Sequence, residues 1–315
     1  MDNTFGSSFC VTTYGESHGR AIGGIIDGCP ANVEIADDFV ASEMRRRHDI
    51  TDGTTRNEPD CVEWLSGLAN GKTVGTPIAF MIRNADVRST DYDIFKGLYR
   101  PGHADYTYHE RYGVDNGPGG GRASGRETAT RVVAGAVAKT VLSQHGITIT
   151  SRVEAPVPDS NDSRGGTVNC TITGVRAGYG NPTFRKLNAM LAQAMMSIPS
   201  AIGFEMGVGF KATAMTGTEF RDDWNTDFST KTNHCGGIQG GITNGLPITF
   251  TVAFHPIVTC GNTIDCISHN GEIKTIKTGG RHDKNHVRRT AVVVEAMAAI
   301  TVLDCILSQQ EYEST

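Results

Sequence analysis

Hydrophobic residues fall along this chain in two rhythms. Short β-branched or alternating runs at 8–14 (SFCVTTY), 21–28, 74–82, 147–157, 166–175, 203–210 and 246–254 have the length and two-residue period of strands. Helical spacing appears between them. Residues 37–47 (DDFVASEMRRR) put acids in the first turn and arginines in the last, matching the helix macrodipole. Residues 183–196 predict an amphipathic helix with Leu187, Met190, Leu191 and Ala194 on one side. Two further helices, from Ser124 to Gln144 and from Thr290 to Leu307, are apolar nearly all round. In the first, Val133, Val137 and Val141 recur at i, i+4 and i+8 while Ala129, Ala134, Ala136 and Ala138 fill the other faces. Helices without a polar face belong between two layers. Ser124 with Glu127 three residues on predicts a capping box at the start of the central one.

Glycine and proline divide these elements and carry the candidate chemistry. Asn70-Gly71 predicts a hairpin tip. The surrounding 66–73 is one residue short of a phosphate-binding P-loop and runs into a strand, and no G-x-G-x-x-G follows a strand anywhere, so nucleotide sites are unsupported. The run Gly117-Pro118-Gly119-Gly120-Gly121 cannot be helix or strand. With Arg122 and Arg126 beside a helix start it reads as an anion site, or as a tight loop entering a core helix. Arg100-Pro101-Gly102-His103 is a turn presenting an arginine and a histidine. Gly15-Glu16-Ser17-His18-Gly19 has the G-x-S-x-G form of a serine nucleophile elbow, but strand rather than helix follows it, so His18 is the better candidate, as an acid/base. His282 and His286 stand at i, i+4 without the glutamate of a metalloprotease or an evident third ligand, so no metal site is expected. Arg281-His282-Asp283 offers instead a base with a charge partner.

Composition narrows the class. Glycine is 38 of 315 residues, roughly 12% against an average near 7%, with no low-complexity run, which implies many special turns. The net charge of −5 removes any basic excess for nucleic acid, so the arginines matter by position. Eight cysteines without C-x-x-C or regular spacing are expected as reduced core thiols. The start lacks a signal-peptide pattern and no window is expected to be long and apolar enough for a membrane span, so a cytoplasmic protein with no membrane partner is expected.

Together these motifs resemble the chorismate synthase family. The match includes GESHG (15–19), IIDGCP (25–30), RRR (45–47), EPD (58–60), GKTVGTPI (71–78) and RPGHADYTY (100–108). It continues through GGGRASGRETATRV (119–132), AGYGNPTFRKL (177–187), GGIQGGITNG (236–245), GRHD (280–283) and VEAM (294–297), in the family's order over nearly the whole chain. The resemblance implies an α+β fold over 1–315, a β-α-β sandwich with helices between two antiparallel sheets, and assembly as a homotetramer. It implies a lyase that converts 5-enolpyruvylshikimate 3-phosphate to chorismate and phosphate by 1,4-anti elimination, with reduced FMN needed but not consumed. Whether the chain reduces its own flavin with NADPH varies in the family, and no dinucleotide motif is present.

By motif, His18 would assist phosphate departure, His103 would act at the flavin N1 side, and Asp283 would assist proton removal at C6 through flavin N5. Arg46, Arg47, Arg56, Arg100, Ser124, Arg126 and Arg281 would bind substrate. Flavin contacts would fall on Arg122, Ala123, Ser124, Pro199, Ser200, Gly240, His255, Pro256, Ile257, Val258, Thr259 and Arg281. Both assignments suit the chemistry: two carboxylates and a phosphate call for clustered arginines, and proton handling near neutral pH calls for histidine. Departures stand at Asp52, where the family carries a basic residue, at Ile202 and His255, where it carries lysines, and at Lys284-Asn285 after Asp283; the family's insertion before Asp162 is mostly missing. Fewer cations weaken anion binding, each charged contact contributing about 1.5–3 kcal/mol. The alternative is a divergent paralogue that binds flavin or an anionic ligand without turnover.

Overall fold

The computed structural model describes residues 3–48, 59–85, 89–156, 162–259, 263–277 and 285–313. In chain order the first sheet is built from β1 (Thr4–Phe5), β2 (Cys10–Gly15), β3 (Ala21–Asp27), β4 (Val62–Trp64) and β5 (Ile78–Arg83), with α1 (Asp37–Arg45) between β3 and β4. Its spatial order is β1-β2-β3-β5-β4, antiparallel throughout. Next come β6 (Leu98–Tyr99), α2 (Asp105–Tyr112) and the central α3 (Thr128–Gln144). The second sheet takes β7 (Thr148–Glu154), β8 (Gly166–Thr173), β9 (Ala201–Met206) and β10 (Ile248–Phe254) in the order β7-β8-β10-β9, with α4 (Leu187–Met196) before β9. A hairpin of β11 (Thr263–Ser268) and β12 (Ile273–Lys277) pairs with β6, and α5 (Val287–Glu313) closes the chain.

The two apolar helices form the middle layer. α3 packs on β2 and β3, α5 packs on β7 and β8, and the helices pack on each other. Gly135 makes their close approach possible, because a Cβ there would lie 2.3 Å from Ala296 Cβ and 2.5 Å from its Cα. One hydrophobic core runs from Phe9 to Ile306, fed from the sheets by alternate residues such as Ile78, Phe80 and Ile82 in β5 and Ile248, Phe250, Val252 and Phe254 in β10. Segment 287–309 does meet the length and apolarity of a membrane span, contrary to expectation, yet 94% of its apolar window is buried inside the protein. The seven described cysteines are free thiols.

The sheets repeat one plan. The order β2-β3-β5-β4 recurs as β7-β8-β10-β9, with α1 and α4, and then α3 and α5, in equivalent places. A sequence echo accompanies it: Gly67, Gly71, Thr73, Gly75, Pro77, Ile78 and Phe80 match Gly237, Gly241, Thr243, Gly245, Pro247, Ile248 and Phe250. The roles match too. Thr73 Oγ1 donates to Pro30 O and accepts from Val33 N, as Thr243 Oγ1 donates to Arg176 O and accepts from Tyr179 N.

Several expected elements shift. The strand expected over 74–82 begins at Ile78, since Gly75 (φ +77°) and Pro77 turn the chain first. The helix expected from 183 begins at Leu187 and buries Met195 where Met190 was expected. The strand expected over 203–210 occupies Ala201–Met206, ended by Gly207 at φ +58°. The predicted capping box does not form. Ser124 Oγ accepts from Arg126 N at 3.4 Å, but Glu127 turns to Thr13 Oγ1 (3.1 Å) and Arg131 Nε (3.0 Å), so regular helix starts only at Thr128. Helix α2 has no apolar periodicity to mark it in the sequence; its Asp105 is held by Arg100 and it stops at left-handed Gly113.

Candidate active site

The site grows from the β2–β3 turn. Gly15 (φ +84°) lets β2 reverse, because a side chain there would strike Ala21 O. The turn then delivers Ser17 and His18. Ser17 is 3% exposed and donates its backbone N–H to Gly121 O at 3.4 Å. It sits in a strand-to-strand turn, without the helix a nucleophile elbow requires, so the serine-hydrolase reading fails. The half-buried His18 ring lies against Gly119, where a Cβ would fall 2.5 Å from its Cδ2 and Nε2. Gly119, Gly120 and Gly121 hold φ of +67°, +82° and +51°, which explains three consecutive glycines. Tyr92 meets the His18 ring edge-on at 5.0 Å.

A buried ionic cluster supports this turn. Asn84 Nδ2 donates to Glu16 O and Gly19 O, and its Oδ1 accepts from Arg126 Nε at 3.0 Å. Arg126, 7% exposed, also pairs with Asp60, and its other terminal nitrogen is buried without a hydrogen-bond partner among the described residues. Asp60 accepts from Arg47 (3.3 Å) and His48 Nε2 (2.7 Å) as well. Burial pushes the Asp60 carboxyl up, but the His48 hydrogen bond and the charges of Arg126 and Arg47 together hold it below the usual carboxylate range. Burial lowers Arg47 to about 10, partly offset by Asp60, with Arg126 and Arg289 adding repulsion. Arg47, Arg126 and Arg289 thus share one neighbourhood, in which Asp60 pairs with both Arg47 and Arg126 and Glu127 adds a second negative charge near Arg47.

Arg122 fastens the glycine loop to β2, donating to Gly15 O (3.2 Å), Thr13 Oγ1 (2.7 Å) and Asn3 Oδ1 (3.2 Å). Ala123 and Gly125 are exposed beside the cap Ser124. Arg131 continues from Glu127 to Ser197 Oγ at 2.7 Å, linking this loop to the end of α4.

A second group forms around His103. Arg100 is clamped by Asp105 through two 2.8 Å contacts and lies over Tyr92 (5.8 Å) and Phe95 (5.4 Å). Contacts therefore run from His18 through Tyr92 to Arg100, whose backbone carbonyl accepts from His103 N at 3.4 Å. His103 Nδ1 lies 3.0 Å from Pro101 O, an acceptor only, so Nδ1 carries the proton and Nε2 accepts from Thr259 Oγ1 at 3.2 Å. Burial, then the Arg100 charge, lowers the His103 pKa, which keeps the imidazole neutral near pH 7. Gly102 packs on Val258, and His255 N donates to Ser200 O at 3.0 Å. Ser200, left-handed at φ +69°, hydrogen-bonds His286 Nε2 at 2.7 Å. Burial and the neighbouring His255 push His286 down to about 4. Pro256 and Val258 are exposed, while Pro199, His255, Ile257 and Thr259 are half-buried.

Two expected site residues are not brought here. Arg46 is held by Glu43 (2.9 Å) and Glu295 (2.6 and 2.7 Å), in a structural network with Lys139 and Ser151. Gly240 caps a hairpin at the start of α4, where Gly241 O accepts from Leu187 N, whereas Pro199 and Ser200 follow the other end of that ten-residue helix, about 15 Å away. Arg56, Arg281 and Asp283 lie outside the described residues, as does Asp52. The sequence motifs assign no site role to Asp60, Asn84, Tyr92 or Arg289, and offer His286 only as half of a metal-ligand pair with His282. Asp60 alone had a signal, as the acid of the EPD motif, but its partners come from the residues just after α1 and just before α3.

Comparison with known proteins agrees along the whole chain. A family model described as chorismate synthase matches residues 9–158 and 153–307. A chorismate synthase of Christiangramia forsetii is 44% identical, covering 98% of each chain, and one of Synechocystis is 43% identical with the same coverage. A crystal structure of chorismate synthase superposes with a TM-score of 0.74 at 28% identity, covering 96% of this chain and 93% of that one. A sandwich built on two all-apolar helices, an arginine cluster around a buried carboxylate and a full-length match of both sequence and structure lead to one conclusion: the chain belongs to the chorismate synthase family.

Proposed function

We propose that this lyase of aromatic amino acid biosynthesis converts 5-enolpyruvylshikimate 3-phosphate to chorismate and phosphate at a site formed by the glycine loop, the arginine cluster and the His103 turn, with reduced FMN as cofactor. The observation that carries this reading is the buried Arg126 nitrogen that has no partner among the described residues, beside Arg47 and Arg289, because buried guanidinium donors are seldom left unsatisfied and an anionic substrate completes this one. The residues fit a flavin. Ala123 and Gly125 after the glycine loop, and Pro256 and Val258 in the segment that packs on the His103 turn, expose backbone and apolar surface, and Ser124 and Thr259 add hydroxyls. When bound, reduced FMN supplies the electron density that phosphate departure demands.

The chain's own residues do the rest. His18, backed by Gly119 and Tyr92, gives a proton or charge partner to the leaving phosphate. His103 keeps a proton on Nδ1 and offers Nε2 through Thr259, holding the cofactor's protonation state. Asp283 takes the ring-proton role, and Arg56 and Arg281 join Arg47, Arg100 and Arg126 in holding the substrate. Arg46 and Arg122 act mainly as fastenings. The protomer is one domain over 1–315 in a cytoplasmic homotetramer. Exposed Phe184 (99%), Phe228 (84%) and Phe210 (73%) support such an assembly, in which Gly240 reaches a flavin from a second copy.

An anaerobic assay with photoreduced FMN tests the reading. Phosphate release that His18→Ala and His103→Ala abolish supports it. Tight substrate or flavin binding with no release by the unmodified chain overturns it in favour of a non-catalytic paralogue.

A further inference from the structure

We propose that His109, Asp115 and His269 form a binding site for one divalent transition-metal ion of the zinc class, with its remaining positions open to solvent. The donor atoms come from three segments: the last turn of α2, the loop after it, and the turn of the β11–β12 hairpin. One ligand atom from each lies within 4.8 Å of the others. Asp115 Oδ1 stands 3.1 Å from His109 Nδ1 and 3.5 Å from His269 Nε2. Tetrahedral zinc with bonds of 2.0–2.1 Å sets its ligands about 3.3 Å apart, so both separations already match and only the imidazole pair has to close up. Two imidazoles and a carboxylate suit zinc, cobalt, nickel or copper far better than magnesium or calcium, which prefer all-oxygen sites.

The donors are held before any ion arrives. Tyr99 stacks on the His269 ring at 4.7 Å and meets His109 edge-on at 5.7 Å, so one phenol orients both imidazoles. The hairpin is registered on β6 by Ile267 opposite Tyr99 and Ser268 opposite Leu98, and His269 N donates to Gly97 O. Asp115 is followed by Asn116, whose side chain donates to Asp105 at 3.1 Å and whose carbonyl lies against Gly121. An ion here fastens the hairpin to the loop that leads into the glycine run. Separations of 6 and 154 positions along the chain explain why local spacing did not reveal it.

Metal-stripped full-length protein titrated with Zn2+ against a chromophoric chelator tests this. None of the three residues belongs to the proposed catalytic set, so failure here leaves that reading untouched. The expected result is one zinc equivalent per chain, lost or weakened at least tenfold in His269→Ala and in Asp115→Asn, with a zinc-dependent rise in melting temperature in the parent alone. Cobalt should give visible absorption that His109→Ala removes. His269 sits exposed on a hairpin turn, and matching circular dichroism of His269→Gln guards against misfolding as the cause. Equal zinc affinity in parent and folded variants, or no binding by the parent, overturns the site.

Discussion

Gly119→Ala probes the placement of His18 without touching any functional group. Gly119 is left-handed (φ +67°, ψ 14°), where an alanine costs about 1–2 kcal/mol. Its Cβ would also lie 2.5 Å from the His18 ring, and ordinary contact begins at 3.4 Å, so the imidazole must retreat by about 1 Å. A misplacement of that size lowers turnover about a hundredfold, within the range expected for losing an acid/base group altogether. Gly113 supplies the control, since it has nearly the same backbone (φ 69°, ψ 14°) and nothing within 4 Å of its Cβ. Anaerobic phosphate release gives kcat and KM, and urea denaturation gives stability. Both alanine variants should lose about 1–2 kcal/mol, and only Gly119→Ala should lose about a hundredfold in kcat, with KM nearly unchanged. Combined with His18→Ala it should cost nothing further. Turnover in Gly119→Ala equal to that of Gly113→Ala, or additive losses in the double variant, refutes the reasoning.

Three further outcomes follow from the packing and charges. Gly135→Ala gains about 1 kcal/mol of helix propensity but forces α3 away from Ala296, an overpacking cost of about 1–3 kcal/mol or more, so the denaturation midpoint should fall and Ala296→Gly should restore part of it; a more stable Gly135→Ala contradicts the close approach. Asp60→Ala leaves Arg47 and Arg126 buried around an absent charge and should cost about 3–5 kcal/mol, with Asp60→Asn less severe; a loss under about 1 kcal/mol would show that the cluster is solvated. His286, at about 4 when folded against an ordinary 6.5, binds its proton more readily in the unfolded chain. Its contribution is present above pH 6.5 and is lost as the pH falls toward 4, about 3 kcal/mol in all. Stability–pH curves of the parent and His286→Gln should diverge over that window, and parallel curves would remove the effect.

Element type was legible wherever one residue's surroundings follow from its neighbours in the chain. The helices expected over 124–144 and 290–307 belonged in a middle layer, because both are apolar nearly all round. The triple glycine had to be a loop, and His18 and His103 had to be presented from turns. The same reasoning failed where a side chain chose a distant partner. Glu127 left the capping box for Thr13 and Arg131, and the arginine run divided between Arg46, drawn to Glu295 in α5, and Arg47, drawn to Asp60. The repeated sheet plan, separated by 170 positions in the echo from Gly67 to Gly237, left only seven scattered matches as its trace.

By itself, then, the sequence determined the periodicities, the obligatory turns and the family, all of which are recorded locally or in motif order. Only the tertiary structure decided that Arg46 pairs with Glu43 and Glu295 while Arg47 and Arg126 gather on Asp60, and that His109, Asp115 and His269 meet. Charge pairing depends on distances through space, and folding sets those distances by closing the sandwich around α3 and α5 rather than by spacing along the chain.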